Sequence, residues 1–527
     1  MIKEFKIVVS PEQAADNEAL KKIISESNSS NENEITALKI IKRSVDARSR
    51  SIKVNLTIQA YINEPLPEKT SYAVSYPDVS KKKSVIIIGA GPAGLFAALR
   101  LIELGIKPII IERGKDVRER RKDLAAINRD QVVNSDSNYC FGEGGAGTYS
   151  DGKLYTRSTK RGEVQKILET FVGHGASEDI LIEAHPHIGT NKLPQIIVNI
   201  RENILTAGGE IHFNTRLQDF IITDNKIKGV VCMDVINSAS LEILADAVIL
   251  ATGHSARDIF ELLHSKNILI EAKSFAMGVR IEHPQDVIDS IQYHCSVKEV
   301  ADRRKYLPAA SYSLVHQVEG RGVYSFCMCP GGIIAPCATN AGEVVTNGWS
   351  PSKRNNPFAN SGMVVSIDLS DLKKYEKHGP LAGMYYQKEL EQAACIAGGS
   401  KQVAPAQRMM DFVNNKLSPD LPPVSYRPGI NSVQLQELLP KAIAKRLQEG
   451  LKEFGKNKKG YLTNEAVLVA VESRTSSPVR IPRDKDTLQH PQIKGLFPCG
   501  EGAGYAGGII SAAIDGQRVA EMSIQLV

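Results

Sequence analysis

The hydrophobic pattern is most regular over residues 83–112. Residues 85–88 are apolar and mostly β-branched, which indicates a strand buried on both faces. A mostly apolar stretch of helical length follows and ends at Gly105, and a second apolar run, residues 108–111, ends in Glu112. The pattern therefore predicts a strand, a tight turn, a helix and a parallel strand.

Three glycines in this turn, Gly89, Gly91 and Gly94, form the pattern G-x-G-x-x-G. In a dinucleotide-binding unit the first permits the turn, the second lets the backbone approach a pyrophosphate, and the third lets helix and strand pack closely. Glu112 lies 23 residues after Gly89, where a carboxylate accepts from ribose hydroxyls. The unit predicts a site for FAD, NAD or NADP; a glycine-rich turn that binds nothing is the alternative.

Residues 1 to about 65 have a pattern of their own. A strand at residues 5–9 precedes a helix with Ser10 as N-cap, and strands at 35–45 and 52–62 follow. This β-α-β-β order predicts a small α+β domain. Its hairpin is basic, which fits an RNA or acidic-partner contact, although solvated strand faces carry such charge more often. The cations are Lys39, Lys42, Arg43, Arg48, Arg50 and Lys53.

Glycines recur in residues 141–153, where four of them fall within six positions. That density suits a loop whose backbone N–H groups face a ligand, or whose backbone passes close to a flat ring. A merely mobile loop is the alternative. A basic helix predicted at residues 117–133 either brings arginines to a pyrophosphate or, as most such helices do, presents them to solvent.

The later pattern predicts two more parts of the chain. Residues 264–460 combine short strands with two helix-rich stretches, which indicates a mixed or antiparallel sheet in a substrate domain. Residues 495–516 return to a strand, a glycine-rich turn and a final helix. The predicted layout is a small domain with its linker over 1–80, a nucleotide-binding domain over 81–263 and 461–527, and the substrate domain between them.

Composition limits the function classes. The chain has 527 residues, 42% hydrophobic and 24% charged, and a net charge of +6, too small over this length to argue for nucleic acid. The first residues are charged and no long apolar segment follows, so we expect neither a signal peptide nor a membrane span. Eight scattered cysteines fit a reducing cytoplasm, and we find no spacing typical of a metal site.

Three separated segments together resemble the FAD-binding domain of the glutathione-reductase-like flavoproteins. They are the glycine turn with Glu112, the strand that ends at residues 251–253 in Ala-Thr-Gly, and residues 496–501, Leu-Phe-Pro-Cys-Gly-Glu. The resemblance implies FAD, with Glu501 beside the ribityl-pyrophosphate and the last helix directed at the pyrimidine end of the flavin. A plain NAD-binding domain needs no such C-terminal return.

Longer motifs that begin at Phe141, Gly278, Tyr324 and Glu472 are similar to those of the uncharacterised bacterial FAD-dependent dehydrogenases, over about residues 30–527. This family implies an α/β fold: a glutathione-reductase-like Rossmann domain with an inserted mixed-sheet α+β substrate domain. It implies FAD and a dehydrogenase role without an assigned substrate. The predicted cofactor-binding positions are Gly89, Gly91, Pro92, Ala93, Gly94, Glu112, Arg113, Arg120, Gly144, Gly145, Lys153, Leu217, Ala251, Thr252, Gly253, Gly500, Glu501, Gly508 and Ile509.

Because a flavin carries the electrons itself, the protein's part is to orient the substrate and transfer protons. His187 is the first candidate for proton transfer, since a histidine pKa lies near neutrality, although a loop histidine is more often structural. Arg280 and Arg474 either clamp a substrate carboxylate or hold Glu282 or Glu472 in ion pairs.

Three more side chains are candidates. Tyr312 is a candidate donor to a substrate carbonyl. Cys327 and Cys329 alternate on a predicted strand and so face one side of it. A redox dithiol beside a flavin is one interpretation. On an extended strand, however, the Cα atoms of residues two positions apart are separated by nearly the largest distance that a disulfide spans, so buried structural cysteines are favoured.

The sequence thus favours a cytoplasmic FAD-dependent dehydrogenase or reductase that transfers a hydride between a small molecule and FAD. We find no second complete unit of strand, G-x-G-x-x-G turn, helix and strand ending in an acid, so we expect NAD(P)H to have no Rossmann domain of its own, and the electron acceptor or donor is unidentified. An FAD-dependent RNA-modifying protein and a protein with a non-catalytic flavin are the alternatives.

Overall fold

The computed structural model describes residues 1–28, 32–68, 71–156 and 162–527. Its first unit is the predicted β-α-β-β domain, except that the helix is broken in two after the capping box of Ser10 with Gln13. The three strands form one antiparallel sheet in the order β1-β3-β2. Its elements are β1 (Ile2–Val9), α1 (Pro11–Ala14), α2 (Asn17–Asn28), β2 (Ile35–Asp46) and β3 (Lys53–Ile62).

The second part of the chain begins with the predicted strand, turn, helix and strand, and includes the predicted basic helix, which ends at Arg129. Its elements are β4 (Ser84–Ile88), α3 (Pro92–Glu103), β5 (Lys107–Ile111), α4 (Val117–Arg129), α5 (Val164–Gly173), α6 (Asp179–Ile182), α7 (Leu193–Thr206), β6 (Glu210–His212), β7 (Thr215–Thr223), β8 (Lys226–Asp234), β9 (Ser240–Leu244), β10 (Val248–Leu250) and α8 (Arg257–Ser265).

The third part is richer in strands. Its elements are β11 (Glu271–Ala272), β12 (Phe275–Pro284), α9 (Gln285–Gln292), α10 (Val300–Arg303), β13 (Val315–Val318), β14 (Arg321–Cys329), β15 (Ile333–Pro336), β16 (Thr346–Trp349), β17 (Phe358–Ile367), α11 (Ala382–Gly398), β18 (Ala404–Arg408), α12 (Met409–Val413), β19 (Ile430–Ser432), α13 (Leu435–Leu438), α14 (Lys441–Asn457), β20 (Val467–Glu472), β21 (Val479–Arg480), β22 (Leu496–Pro498) and α15 (Ile509–Ser523). Short 3₁₀ segments occur at Glu32–Glu34, Gly145–Gly147, Val297–Glu299, Leu369–Leu381 and Ile524–Leu526.

A five-stranded parallel sheet in the order β22-β10-β4-β5-β6 supports the glycine turn. Strand β22, from the C-terminal end of the chain, pairs with β10, and β10 pairs with β4. The carboxyl ends of these strands therefore meet at one edge, where ligands of open α/β sheets bind. Among the helices that the structure describes, none combines the length and the apolar character needed to cross a bilayer.

Close packing of two helices brings the C-terminal return beside the first glycine turn. A Cβ on Gly516, in α15, would lie 2.1 Å from the carbonyl oxygen of Ala93, in α3. Only glycine allows these backbones to approach so closely. The final helix is thereby fixed against the helix that follows the G-x-G-x-x-G turn.

A seven-stranded mixed sheet forms the other large layer, in the order β13-β14-β17-β12-β20-β18-β19. All its pairs are antiparallel except β18 with β19. The predicted mixed or antiparallel sheet is thus present, and its strand β20 lies beyond the predicted domain boundary at residue 460. The stretch predicted to be helix-rich over residues 372–397 contains the end of a 3₁₀ segment followed by α11. The two are separate because Gly379 has a non-helical φ of 54° and Pro380 follows it.

Candidate functional site

The three glycines of the β4–α3 turn have different environments. A Cβ on Gly89 would lie 2.5 Å from the carbonyl oxygen of Ala251, and one on Gly94 would lie 1.9 Å from that of Gly89. The protein's own packing therefore requires both glycines. A Cβ on Gly91 meets nothing closer than the Cα of Gly145 at 4.0 Å. Packing within the protein therefore does not require glycine at position 91, as expected where a ligand rather than the protein approaches the backbone.

Two helices begin at this edge of the sheet without a side-chain cap. Gly91 is the N-cap of α3, with Pro92 in its first turn, and Gly508 is the N-cap of α15. A Cβ placed on Gly507 or Gly508 would meet no atom within 4 Å, so the start of α15 is open. Both helix ends carry partial positive charge, which suits a pyrophosphate or an anionic reduced flavin.

Glu112 is buried at the end of β5 and accepts three hydrogen bonds from the backbone. The donors are the N–H groups of Ala90 at 2.9 Å, Gly114 at 2.8 Å and Gly142 at 3.0 Å. A carboxylate offers about four lone-pair directions, so this arrangement leaves one for a ribose hydroxyl. Glu112 thus also ties the glycine turn to residues 141–153, a role that its spacing did not predict.

The glycine-rich segment, residues 141–153, packs directly on the first turn. Gly144 donates its N–H to the carbonyl of Ala90 at 2.8 Å, and a Cβ on Gly145 would lie 3.1 Å from the Cα of Gly91. Gly144 and Gly145 have φ values of 76° and 60°, a left-handed conformation that glycine adopts without strain. The two glycine sequences, far apart in the chain, therefore line one site.

Two arginines predicted to bind the cofactor are engaged by the protein itself. Arg120 is fully buried and donates to three backbone carbonyls, those of Asn138, Tyr139 and Glu143, at 2.8 to 3.0 Å. It therefore supports the glycine-rich segment. Arg113 forms ion pairs at 2.8 and 2.9 Å and stacks on the ring of Phe141 at 4.4 Å. Its two carboxylate partners are Asp136 and Asp258.

The C-terminal return is held by residues that sequence reasoning missed. Asp515 accepts the N–H of Gly500 at 2.8 Å and forms a bidentate ion pair with Arg483 at 2.6 and 2.9 Å. His254 lies 3.3 Å from Glu501 and so links the end of β10 to this turn. A charged residue in the otherwise apolar first half of α15 was the only sequence signal for Asp515.

The remaining predicted cofactor positions lie around the same edge or behind it. Pro92, Gly144 and Ile509 line a small apolar hollow together with Phe171 and Ile197. Leu217 is buried in strand β7, within the core against the sheet. Residues 251–253 follow β10, and the carbonyl oxygen of Gly253 would lie 2.4 Å from a Cβ on Gly502. The strand end and the C-terminal turn are thus in close contact.

A charged cluster lies where the glycine-rich segment contacts the third part of the chain. Asp151 is buried and pairs with Arg354 at 2.8 Å, while Nζ of Lys153 is 4.0 Å from Asp151. Burial opposes ionisation of Asp151, but Arg354 and Lys153 hold its pKa below the ordinary value. Burial and the charge of Arg354 lower the pKa of His187, so this imidazole is neutral at neutral pH.

Arg280 and Arg474 are occupied by buried carboxylates. Arg280 pairs with Glu472 at 3.2 Å, as one of the two interpretations expected. Arg474 pairs with neither Glu282 nor Glu472; its partners are Glu391 at 2.9 Å and Glu343 at 3.1 Å. The ion pair expected between Arg474 and Glu282 or Glu472 is therefore wrong: Glu472 pairs with Arg280, and Glu282 accepts from Ser425.

Tyr312 is buried in an aromatic cluster. Its ring packs edge-on against Tyr461, with ring centroids 5.4 Å apart, and burial raises its pKa to about 12. The phenol therefore remains protonated at neutral pH. Its surroundings in the structure are the side chains of the seven-stranded sheet and its helices rather than the glycine-lined edge.

Comparison with known proteins agrees with this geometry. Two FAD binding domain families match residues 82–129 and 144–321, and the family described as FAD-dependent protein, C-terminal domain-like, matches residues 274–475. A domain of unknown function matches residues 1–61. The chain is therefore a flavoprotein with FAD as its cofactor, and the matches support the general class of FAD-dependent oxidoreductases.

A relative covers nearly the whole chain. An uncharacterized protein of Clostridium beijerinckii is 40% identical over 524 residues, which is 96% of this chain and 95% of the relative. The chain belongs to this uncharacterised family of FAD-dependent proteins. A thiamine thiazole synthase of Aeropyrum pernix is 27% identical over 190 residues, 33% of this chain and 56% of that protein.

A solved flavoprotein/dehydrogenase from Cytophaga hutchinsonii is 12% identical. The alignment covers 84% of this chain and 78% of the solved chain, with a TM-score of 0.36. A likeness at that level carries no argument about this chain's activity. The family assignment above rests on the sequence matches alone.

Proposed function

We propose that the protein is an FAD-dependent dehydrogenase or reductase that transfers a hydride between a small molecule and FAD. The main support is the pair of uncapped helix ends, at Gly91 and Gly508, on the edge where β4, β10 and β22 meet. A glutathione-reductase-like site uses both ends, one for the pyrophosphate and one for the flavin ring.

In this proposal the predicted positions divide between the two ends of FAD. The backbone of residues 91–94 holds the pyrophosphate, and the free lone pair of Glu112 accepts from the ribose. Gly500, Glu501 and the start of α15 face the ribityl and flavin end, beside Gly144 and Gly145. FAD, when bound, supplies the hydride chemistry.

The protein's own contribution is proton transfer, which we assign to His187. Its Nε2 lies 3.1 Å from the carbonyl oxygen of Ser352, so Nε2 carries the hydrogen and Nδ1 is left to accept a proton. The lowered pKa keeps this imidazole neutral and able to act as a base at neutral pH. Arg280, Arg474 and Tyr312 are assigned supporting roles behind the site because their polar groups are buried.

The substrate class is tested by anaerobic reduction of the purified flavoprotein with a panel of metabolites that includes NADH and NADPH. Bleaching of the flavin absorbance by one compound, with stoichiometric product, supports the proposal. If dithionite bleaches the flavin but no metabolite or pyridine nucleotide does, the flavin is not catalytic. Copurifying RNA and salt-dependent RNA binding would instead favour an RNA-modifying protein.

The role of His187 is tested by His187→Gln, with His185→Gln as the matched control two residues away. We expect the first variant to slow flavin reduction about 10²- to 10⁴-fold and to remove the limb of the pH profile that reports the base. FAD content should be normal in both variants. An unchanged pH profile in His187→Gln would assign the proton transfer to another group.

A further inference from the structure

Cys327 and Cys329 lie at a bulge rather than on a regular strand, contrary to the expectation from their spacing. The pairing of β14 with β17 shifts register between Phe326 and Cys329. Cys327 has a φ of 44°, a left-handed conformation that is strained for a residue with a side chain. Because the backbone at Cys327 is not extended, the two cysteines are not held at the separation that an extended strand imposes.

The bulge brings the two thiols together. The thiol of Cys329 folds back on Cys327: its Sγ lies 3.3 Å from the carbonyl oxygen of that residue. Cys329 is buried, whereas Cys327 is partly exposed. Cys327 is therefore the less buried residue of the pair.

Two cations face this pair from separate elements. Nζ of Lys153, in the glycine-rich segment, is 3.9 Å from Sγ of Cys327. Arg280, on β12, lies 3.5 Å from Sγ of Cys329 and donates to the carbonyl of Cys327 at 2.7 Å. The opposing acids are Asp151, 4.0 Å from Lys153, and Glu472, 3.2 Å from Arg280.

These contacts separate the two sulfurs chemically. The hydrogen bond from Cys329, together with Lys153 and Arg280, holds the pKa of Cys327 well below its ordinary value despite burial. The same contact and burial raise the pKa of Cys329 well above its ordinary value. The contacts therefore favour ionisation of Cys327 over ionisation of Cys329.

We propose that Cys327 and Cys329 form a thiol–disulfide exchange site for small disulfides, with Cys327 as the attacking sulfur and Cys329 as the resolving one. The thiolate of Cys327 attacks a disulfide R–S–S–R; a Cys327–S–S–R bond forms and RS⁻ leaves. Cys329 then attacks the sulfur of Cys327, closing a Cys327–Cys329 disulfide and releasing the second R–S group, which takes the proton of Cys329.

The step balances without any other reactant. Two protein sulfurs are oxidised by two electrons, and one disulfide is reduced to RS⁻ and RSH. The exchange is reversed by the same small thiols. It does not depend on the flavin or on the function proposed above, so either proposal can fail without the other.

The test treats the reduced holoprotein at pH 6 with methyl methanethiosulfonate, a small probe, and maps the cysteine peptides by mass spectrometry after an acid quench. In the wild type we expect methanesulfinate and then methanethiol to be released, leaving the Cys327–Cys329 peptide two hydrogens lighter. In Cys329→Ser the methylthio group should remain on Cys327. In Cys327→Ser, Cys329 should stay unmodified.

Cys295 is the internal control because it is also partly exposed, but burial raises its pKa. We expect Cys327 to react at least about tenfold faster than Cys295 at this pH. Lys153→Met should slow Cys327 several-fold, whereas Lys305→Met, at an exposed position, should not. Equal rates of modification for Cys327 and Cys295, or a stable methylthio group on Cys327 in the wild type, would overturn the proposal. Both outcomes are measured on the wild-type protein, without any variant.

Discussion

Two neighbouring regions of this protein, the edge of the parallel sheet and the charged cluster beside it, differ in whether their polar groups already have partners within the protein. At the edge of the parallel sheet the surface is mostly backbone: glycines, two uncapped helix ends and one buried carboxylate, Glu112. Where the third part of the chain packs against the glycine-rich segment, the contact consists of buried ion pairs, among them Asp151 with Arg354 and Arg280 with Glu472. The first region leaves its donors open to a ligand, whereas the second satisfies its charges internally.

The difference shows that a strongly charged pocket is not by itself a binding site. Buried ion pairs hold surfaces in register and are costly to break from one side. A site for a large anionic cofactor needs unsatisfied donors and room for the ligand backbone. Of the two regions compared, the glycine-lined edge offers both, and the charged region contains the side chains to which we assign chemistry by proposal, His187 and Cys327.

The largest effect on this comparison is expected from Gly91→Val. Its φ of −76° suits any residue, and a Cβ there contacts no protein atom closer than 4.0 Å, so the apoprotein should fold normally. The side chain would occupy the place of the pyrophosphate and abolish FAD binding. Flavin absorbance after purification and reconstitution measures this. Gly105→Asn, beyond the other end of α3, should keep its flavin; equal flavin content in Gly91→Val would place the phosphate elsewhere.

On the charged side, Glu391→Gln should destabilise the fold by about 3–5 kcal/mol, because it leaves buried guanidinium groups short of a partner. Glu391 contacts Arg257 and Arg474, each at 2.9 Å. Denaturant unfolding of wild type and variant gives the difference. Glu389→Gln, on the same helix but exposed and paired with Lys374, should cost less than about 1 kcal/mol. Similar losses in the two variants would contradict the distinction.

The same carboxylate predicts an acid-sensitive part of the stability. Burial alone would raise the pKa of Glu391, but Arg257 and Arg474 hold it at about 2, below its ordinary value of 4.5. Because the folded pKa is lowered, the stabilisation is present above pH 4.5 and is lost as the pH falls toward 2. Unfolding free energies measured from pH 6 downward should decline more steeply in the wild type than in Glu391→Gln. Parallel slopes would contradict the assignment.

A smaller effect is expected from Glu112→Gln, which keeps the shape but removes one acceptor oxygen. Three backbone N–H groups then compete for one oxygen, and at least one buried donor loses its partner, at a cost of about 1–3 kcal/mol. The affinity for FAD should also fall in this variant, because the contact with the ribose weakens. Thermal unfolding and flavin titration measure the two effects. Unchanged stability would mean that the turn does not depend on this carboxylate.

The glycine turn and the strand before it were predictable because they depend on local geometry. Gly89, Gly91 and Gly94 and the strand before them are contiguous, so spacing alone identifies the turn. The partners Asp515, Arg483 and His254 were not predictable, since each is ordinary in its own segment and acquires its role by contacting a distant turn. The bulge at Cys327 was missed for the same reason, because register with β17 decides it.

What the sequence by itself determined is the glycine turn with its flanking strands and helix, FAD as the cofactor, and the family, because glycine positions and buried strands follow from steric rules that apply locally. Only the tertiary structure decided which side chains carry free charge. Arg113, Arg120, Arg280 and Arg474 read alike as cations in sequence, yet each is neutralised or enclosed by residues that are not its neighbours in the chain. Desolvation and pairing depend on distance in space, and that is the information that residue order alone does not contain.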